Sequence, residues 1–154
     1  MRIFDTLTDL AACVGTEVAV SDWHTVTQQA INQFADATGD HQWIHVDLDK
    51  AAGGPFGAPI AHGFLTLALL PRFFDSSVRV TNSALGVNYG LNKVRFTAPV
   101  PVGSRLRGRL YLVAAQPIAS HGMQLCWQVT VEREGTDKPV CVAESLVRRY
   151  PAAL

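Results

Sequence analysis

Three hydrophobic patterns divide the chain. In the first, apolar residues recur at helical spacing: Phe4, Leu7, Leu10, Ala11 and Val14 precede Gly15, which predicts an amphipathic helix over residues 3–14. Glu17 to Trp23 alternates loosely around Val18 and Val20 and suits a first strand. Thr25 and Gln28 then stand at capping-box spacing, and Ile31, Phe34 and Ala35 form one stripe ending at Gly39, so a second helix has both ends marked. Val46 to Ala52 suits one helical turn capped by Asp47, and Gly53, Gly54, Pro55, Gly57 and Pro59 impose an irregular loop.

The second pattern runs from Gly63 to Phe74 and is apolar on every side, which predicts a buried helix, kinked or ended by Pro71. The third has period two. Val87–Val100, Ser104–Ala115, Met123–Arg133 and Val140–Arg149 are strand candidates, clearest where Met123, Leu125, Trp127, Val129 and Val131 oppose Gln124, Gln128, Thr130 and Glu132. Short connections make antiparallel neighbours. A helix without a polar face must be wrapped, so the expected architecture is α+β: a curved antiparallel sheet closed around a central apolar helix, one domain over residues 1–154 without repeat or linker.

Composition narrows the function classes. With 154 residues at 48% hydrophobic, one substantial core is affordable. Zero formal net charge and a pI near 7.0 argue against nucleic acid as partner, which needs concentrated positive charge, and favour small ligands. Cys13, Cys126 and Cys141 are odd in number and lack a C-x-x-C pair, so neither a disulfide framework nor a zinc cluster is expected, and a reducing, cytoplasmic setting fits. Asp5 and Asp9 oppose an export signal, and Phe64–Leu70 is too short to span a bilayer, so no membrane association is expected.

Candidate chemistry gathers in Gly39-Asp40-His41-Gln42-Trp43-Ile44-His45 and the following Ala61-His62-Gly63. Asp40 and His45 lie five apart and would miss each other on one helix, but a left-handed stop at Gly39 lets the chain turn and bring carboxylate and imidazole around one water. That pair is suited to moving protons near neutral pH. His41 and His45 have the spacing of H-E-x-x-H ligands, yet the Glu is missing and Gly39 disfavours the helix, so no metal is expected. His62 reads as a supporting hydrogen-bonding residue at a helix start. Lys93 and Arg95 share one strand face, and Arg105, Arg107 and Arg109 another; each set is either a solvated sheet face or a dock for phosphate groups.

Thr38-Gly39-Asp40 with His45, followed by Ala61-His62-Gly63-Phe64 opening an apolar helix, resembles the MaoC-like dehydratases, the R-specific enoyl-CoA hydratase family with the hot-dog fold. The family motif reads Gly-Asp-x-Asn-Pro-x-His; here Gln42 replaces the Asn and Trp43 the Pro, as in the NodN-like branch, which Asn88–Phe96 and Pro99–Gly103 also resemble. The resemblance implies reversible hydration of a trans-2-enoyl thioester of coenzyme A or acyl carrier protein to the (R)-3-hydroxyacyl thioester. By it, Asp40 and His45 are the catalytic pair, Gly63 is a backbone donor to the thioester oxygen, and Gln42 takes the place of the orienting Asn; Tyr89 and Asn92 are candidates for lining the acyl tunnel, a choice the sequence leaves open. It further implies a homodimer, and no metal or redox cofactor. A thioesterase acting on the thioester carbonyl, or a silent acyl-thioester binding subunit of a heteromeric dehydratase, are the competing expectations.

Overall fold

In the computed structural model, which describes residues 1–152, the chain opens as strand β1 (Arg2–Phe4) and a single turn of helix α1 (Leu7–Ala11). The expected helix over 3–14 is therefore shorter. The backbone of Arg2–Phe4 pairs in parallel with a later strand, Val78–Val80, a contact that local periodicity cannot signal. Thr6 and Asp9 then form a reciprocal capping box that starts the helix only at Leu7.

Strands β2 (Thr16–Val20) and β3 (His24–Thr25) lead into helix α2 (Gln28–Thr38), followed by the short α3 (Trp43–Val46) and α4 (Leu48–Ala52). The cap of α2 is Thr27, whose hydroxyl accepts from the Ala30 N–H, and not Thr25 with Gln28. Asp47 caps α4 as expected, accepting from the Lys50 N–H at 3.0 Å.

The central apolar segment forms two helices, α5 (Gly63–Ala68) and α6 (Leu70–Asp75), because Pro71 lacks the N–H that would continue the ladder and is accommodated only in a first turn. Its inner side buries Leu65, Thr66, Leu70, Phe73 and Phe74. It is not buried all round: Phe64 is 68% exposed, and Ala68, Pro71 and Arg72 lie on the same open side.

After β4 (Val78–Val80), the long strands β5 (Ser83–Phe96), β6 (Arg105–Ile118), β7 (Gly122–Arg133) and β8 (Cys141–Pro151) form an antiparallel sheet in the order β2-β6-β7-β8-β5, with β3 also on β6. The β6–β7 turn carries Ser120 and His121 at φ 59 and 53, the paired positive values of the hairpin turn that matches strand twist. The helices pack on one face of this sheet. Phe74 meets Trp127 edge-on at 5.2 Å, and a Cβ at Gly108 would stand 3.0 Å from the Phe73 side chain, so a larger residue there would require Phe73 to shift by a few tenths of an ångström. Among the described residues β5 pairs with β8 alone and leaves its outer edge open, with Leu85, Val87, Tyr89, Leu91 and Phe96 each more than 40% exposed. Among the described residues, no helix is long and apolar enough to cross a membrane.

Candidate active site

The site is assembled from the end of α2, the turn into α3 and the start of α5. Gly39 ends α2 at φ 76, ψ 5, its N–H donating to the Ala35 carbonyl at 2.8 Å. This left-handed cap, unfavourable for a residue with a Cβ, redirects the chain so that Asp40 leaves the helix axis. The Gln42 N–H then approaches the Asp40 Oδ1 at 3.4 Å across a tight turn, and α3 presents His45 inward. The Gln28 side chain ties the two helices together by donating to the His45 carbonyl at 2.8 Å.

A second segment clamps the first. The Ile60 N–H donates to the Ile44 carbonyl at 3.0 Å, the Ala61 N–H to the Val100 carbonyl at 2.8 Å, and the Val102 N–H to the Pro59 carbonyl at 2.8 Å. Residues 59–61 thus bind the His45 turn to the loop before β6. Immediately afterwards His62 begins α5.

These connections bring Asp40, His45 and His62 together, with one ligand-type atom from each within 4.8 Å of the others. His45 and His62 are 6% and 3% exposed, while Asp40 is open to solvent. A carbonyl can only accept, so each ring tautomer is determined by its partner. His45 Nδ1–H donates to the Ile60 carbonyl at 2.6 Å, which leaves Nε2 with its lone pair. His62 Nε2–H donates to the Asp40 carbonyl at 2.9 Å, which leaves Nδ1 bare, buried and without a hydrogen-bond partner among the described residues. The two rings stack at 3.8 Å and 25°, and Phe34 flanks His62 at 5.0 Å. Burial holds the His45 pKa below that of a free imidazole, with the neighbouring His62 acting in the same direction; the Ile60 hydrogen bond and Asp40 oppose the shift. In near-parallel rings the in-plane lone pairs run side by side, a poor match to a single ion at 2.0–2.1 Å from both nitrogens. His41 turns outward to Asp36 at 2.9 Å.

A cavity of about 360 Å³ is lined by Phe56, Ile60, Ala61, Gly63, Phe96 and Val140 among others; it reaches the residues on either side of His62 but is not lined by Asp40, His45 or His62 themselves. The Ile60–Gly63 segment both orients His45 and forms the cavity wall. The Gly63 N–H is in the first turn of α5, where helical geometry supplies no acceptor, and none is found among the described residues. A Cβ on Gly63 would lie 2.7 Å from the Phe96 ring.

The other candidates are placed elsewhere. The Gln42 side chain is exposed at the start of α3 and makes no capping bond. On β5, Val94 packs on the core and Phe96 meets Phe64 of α5, so by alternation Lys93 and Arg95 point to the opposite face, away from the cavity. Tyr89 lies under the Arg148 guanidinium, 3.4 Å from the ring centroid, and Asn92 donates to Glu144. Arg148 and Glu144 alternate with the buried Ala143, Ser145 and Val147, so the Tyr89 and Asn92 side chains also sit on the outer face. Arg105, Arg107 and Arg109 are paired with Glu134, Glu132 and Glu17, each with a contact of 2.7 Å, which favours the solvated-face reading over a phosphate dock. Sequence reasoning missed Gln28, the Ile60 carbonyl and Phe96. Gln28 was absorbed into a capping box, and a backbone acceptor carries no residue signature.

A central helical pair covered by an antiparallel sheet, with Asp40, His45 and His62 gathered where the pair begins, is the architecture of a hot-dog protein. The chain belongs to the MaoC-like domain family, whose model matches residues 9–134. It is 57% identical over 148 residues to 3-hydroxyacyl-thioester dehydratase Z of Mycobacterium tuberculosis, covering 96% of this chain and 98% of that protein. It is 45% identical over 139 residues to nodulation protein N of Rhizobium meliloti, covering 89% of this chain and 86% of that one. Among solved structures, a MaoC-like dehydratase from Rhodospirillum rubrum superimposes with a TM-score of 0.75 at 25% identity, over 96% of this chain and 98% of that one.

Proposed function

We propose that this protein is a hydro-lyase that interconverts trans-2-enoyl and (R)-3-hydroxyacyl thioesters of coenzyme A or acyl carrier protein, using Asp40 and His45 and no metal or redox cofactor. The observation that carries the reading is the His45 tautomer: a buried imidazole whose Nδ1–H is held by the Ile60 carbonyl, which leaves Nε2 free to take a proton in a cluster where a ring nitrogen of His45 and an oxygen of Asp40 lie within 4.8 Å. The 57% identity to a named 3-hydroxyacyl-thioester dehydratase over nearly the full length of both chains supports the reaction class.

In this mechanism one water lies between Asp40 and His45. Nε2 takes a proton from it as its oxygen adds to the β-carbon, and the electron pair of the double bond moves towards the thioester oxygen. The Gly63 N–H stabilises the charge that develops there. The imidazolium then returns its proton to the α-carbon, and His45 is neutral again, so the net change is addition of one water. Asp40 orients the water and offsets the transient positive charge. His62 is a positioning residue: its bond to the Asp40 carbonyl holds the turn that carries the carboxylate. Gln42, exposed at the start of α3, keeps only a supporting role, as the amide in place of the family's orienting Asn.

The exposed apolar edge of β5 beside the open side of α5 and α6 supports a homodimer formed along that edge, since a long unpaired apolar strand otherwise invites uncontrolled association. Free Cys13, Cys126 and Cys141 support a reducing, cytoplasmic setting.

The test is hydration of crotonyl-CoA and longer enoyl-CoAs, followed by loss of enoyl absorbance. Asp40→Asn and His45→Gln are each expected to lower kcat by about two decades or more, the scale of positioned acid–base catalysis. Turnover unaffected by both substitutions refutes the assignment.

A further inference from the structure

At the end of the helical pair remote from Asp40 and His45, the inward face of β8 carries a charge that the proposed reaction does not use. Arg149 continues the row of inward residues Ala143, Ser145 and Val147, opposite Gly86 of the edge strand. Among the described residues its guanidinium makes no hydrogen bond and no ion pair within 4.0 Å, although burial holds its pKa below the usual arginine value against the pull of Asp75. An arginine remains charged under these conditions and brings five donors, so leaving it unmatched and half-buried costs stability.

The space around it is shaped. A cavity of about 270 Å³ is walled by Leu10, Phe74, Trp127 and Val147, with Asp75, Asn88 and Arg149 as polar members. It shares Asp75, Val78 and Arg149 with an adjoining space of about 390 Å³ that reaches Ser83, whose hydroxyl is buried without a hydrogen-bond partner. The first compartment sets an apolar wall against polar groups, and the second adds the unmatched Ser83 hydroxyl; the unmatched Arg149 cation lines both. The guanidinium fork fits the two oxygens of a carboxylate, and the aromatic wall fits hydrocarbon. The first compartment is smaller than pockets for drug-sized ligands, which limits the tail to a few carbons.

We propose that the Arg149 cavity is a second binding site, separate from the enoyl site, for a short-chain carboxylate whose head pairs with Arg149 and Ser83 and whose tail lies against Phe74 and Trp127. Asp75 lines both compartments but, among the described residues, makes no ion pair with Arg149, so the fork is not occupied by it.

The test is calorimetric titration of the full chain with hexanoate, and with 1-hexanol as a neutral probe of equal tail length. Hexanoate is expected to bind with a millimolar-range Kd and hexanol not to bind measurably. Arg149→Gln is expected to weaken hexanoate at least about tenfold, one lost charge-assisted contact, and Arg149→Lys, which keeps the charge without the fork, to fall between. Asp40→Asn is expected to bind hexanoate like the unsubstituted protein. No heat of binding up to about 10 mM hexanoate, a millimolar-range ceiling, overturns the proposal. So do undiminished affinity in both Arg149 variants, and loss of binding in Asp40→Asn, which would put the carboxylate in the enoyl site. Each of these outcomes leaves the hydratase reading standing, because that reading is tested by turnover.

Discussion

Gly63→Ala tests whether the cavity wall is as tight as its geometry indicates. The added Cβ would stand 2.7 Å from Phe96 Cδ2 and 2.9 Å from Cγ and Cε2, against the roughly 3.5–4.0 Å of comfortable carbon contact. The ring must therefore move by about 1 Å. Overpacking of this kind costs about 1–3 kcal/mol. Phe96 is 44% exposed and can swing outward, which favours the lower half of that range. Swinging gives up its edge-on contact with Phe64, centroids 5.7 Å apart, which contributes about 0.5–1.5 kcal/mol in comparable pairs. The better helix propensity of alanine offsets at most about 1 kcal/mol, and less at a first helical position. The net expectation is destabilisation of about 1–2 kcal/mol, read from denaturant midpoints at constant slope. Enoyl-CoA hydration should fall as well, by about tenfold or more, because the methyl group and the displaced ring enter the cavity beside the proposed oxyanion donor. The control is the same substitution in a Phe96→Ala background, where the obstacle is gone and Gly63→Ala should be close to neutral for stability. An equal stability cost in both backgrounds, or unchanged stability and activity in the single variant, refutes the reasoning.

Two further outcomes are expected. Because burial depresses the His45 pKa below 6.5, the acid limb of kcat/KM should lie below pH 6.5. The same shift affects stability: below pH 6.5 the unfolded chain takes up the His45 proton before the folded one does, so stability present at higher pH is lost as pH falls through the folded value. His45→Gln should flatten that part of the stability profile, and an acid limb above pH 6.5 would contradict the assignment. Light scattering coupled to size exclusion should give the mass of a dimer, with Leu91→Lys on the open edge of β5 shifting it towards monomer; a strict monomer with full activity would contradict the proposed assembly.

The local signals in the chain were strong where short-range chemistry decides the outcome. Gly39 stops its helix in the left-handed conformation that a glycine after an apolar stripe implies, and Asp47 caps the turn its position suggests. The four long strands were legible from period-two alternation, although β5 begins four residues earlier than expected, at Ser83, where Ala84 and Gly86 blur the pattern. The proximity of Asp40 and His45, within 4.8 Å, was legible because a five-residue spacing across a helix stop lets the chain turn back on itself.

Local pattern along the chain established the inventory: one apolar segment needing cover, strands able to cover it, and an acid and an imidazole beside a glycine. Tertiary structure decided the rest. Only long-range pairing turned residues 2–4 into a strand, since its partner lies more than seventy positions away. Only the packed backbone supplied the Ile60 carbonyl that sets the His45 tautomer, and only the stack on His62 placed that ring in a dry setting. The sheet covers one side of the central helices and leaves Phe64 and the edge of β5 open. Periodicity reports that a residue is apolar; which surface covers it depends on elements distant in sequence, and a backbone acceptor is identical at every position until the fold aims it.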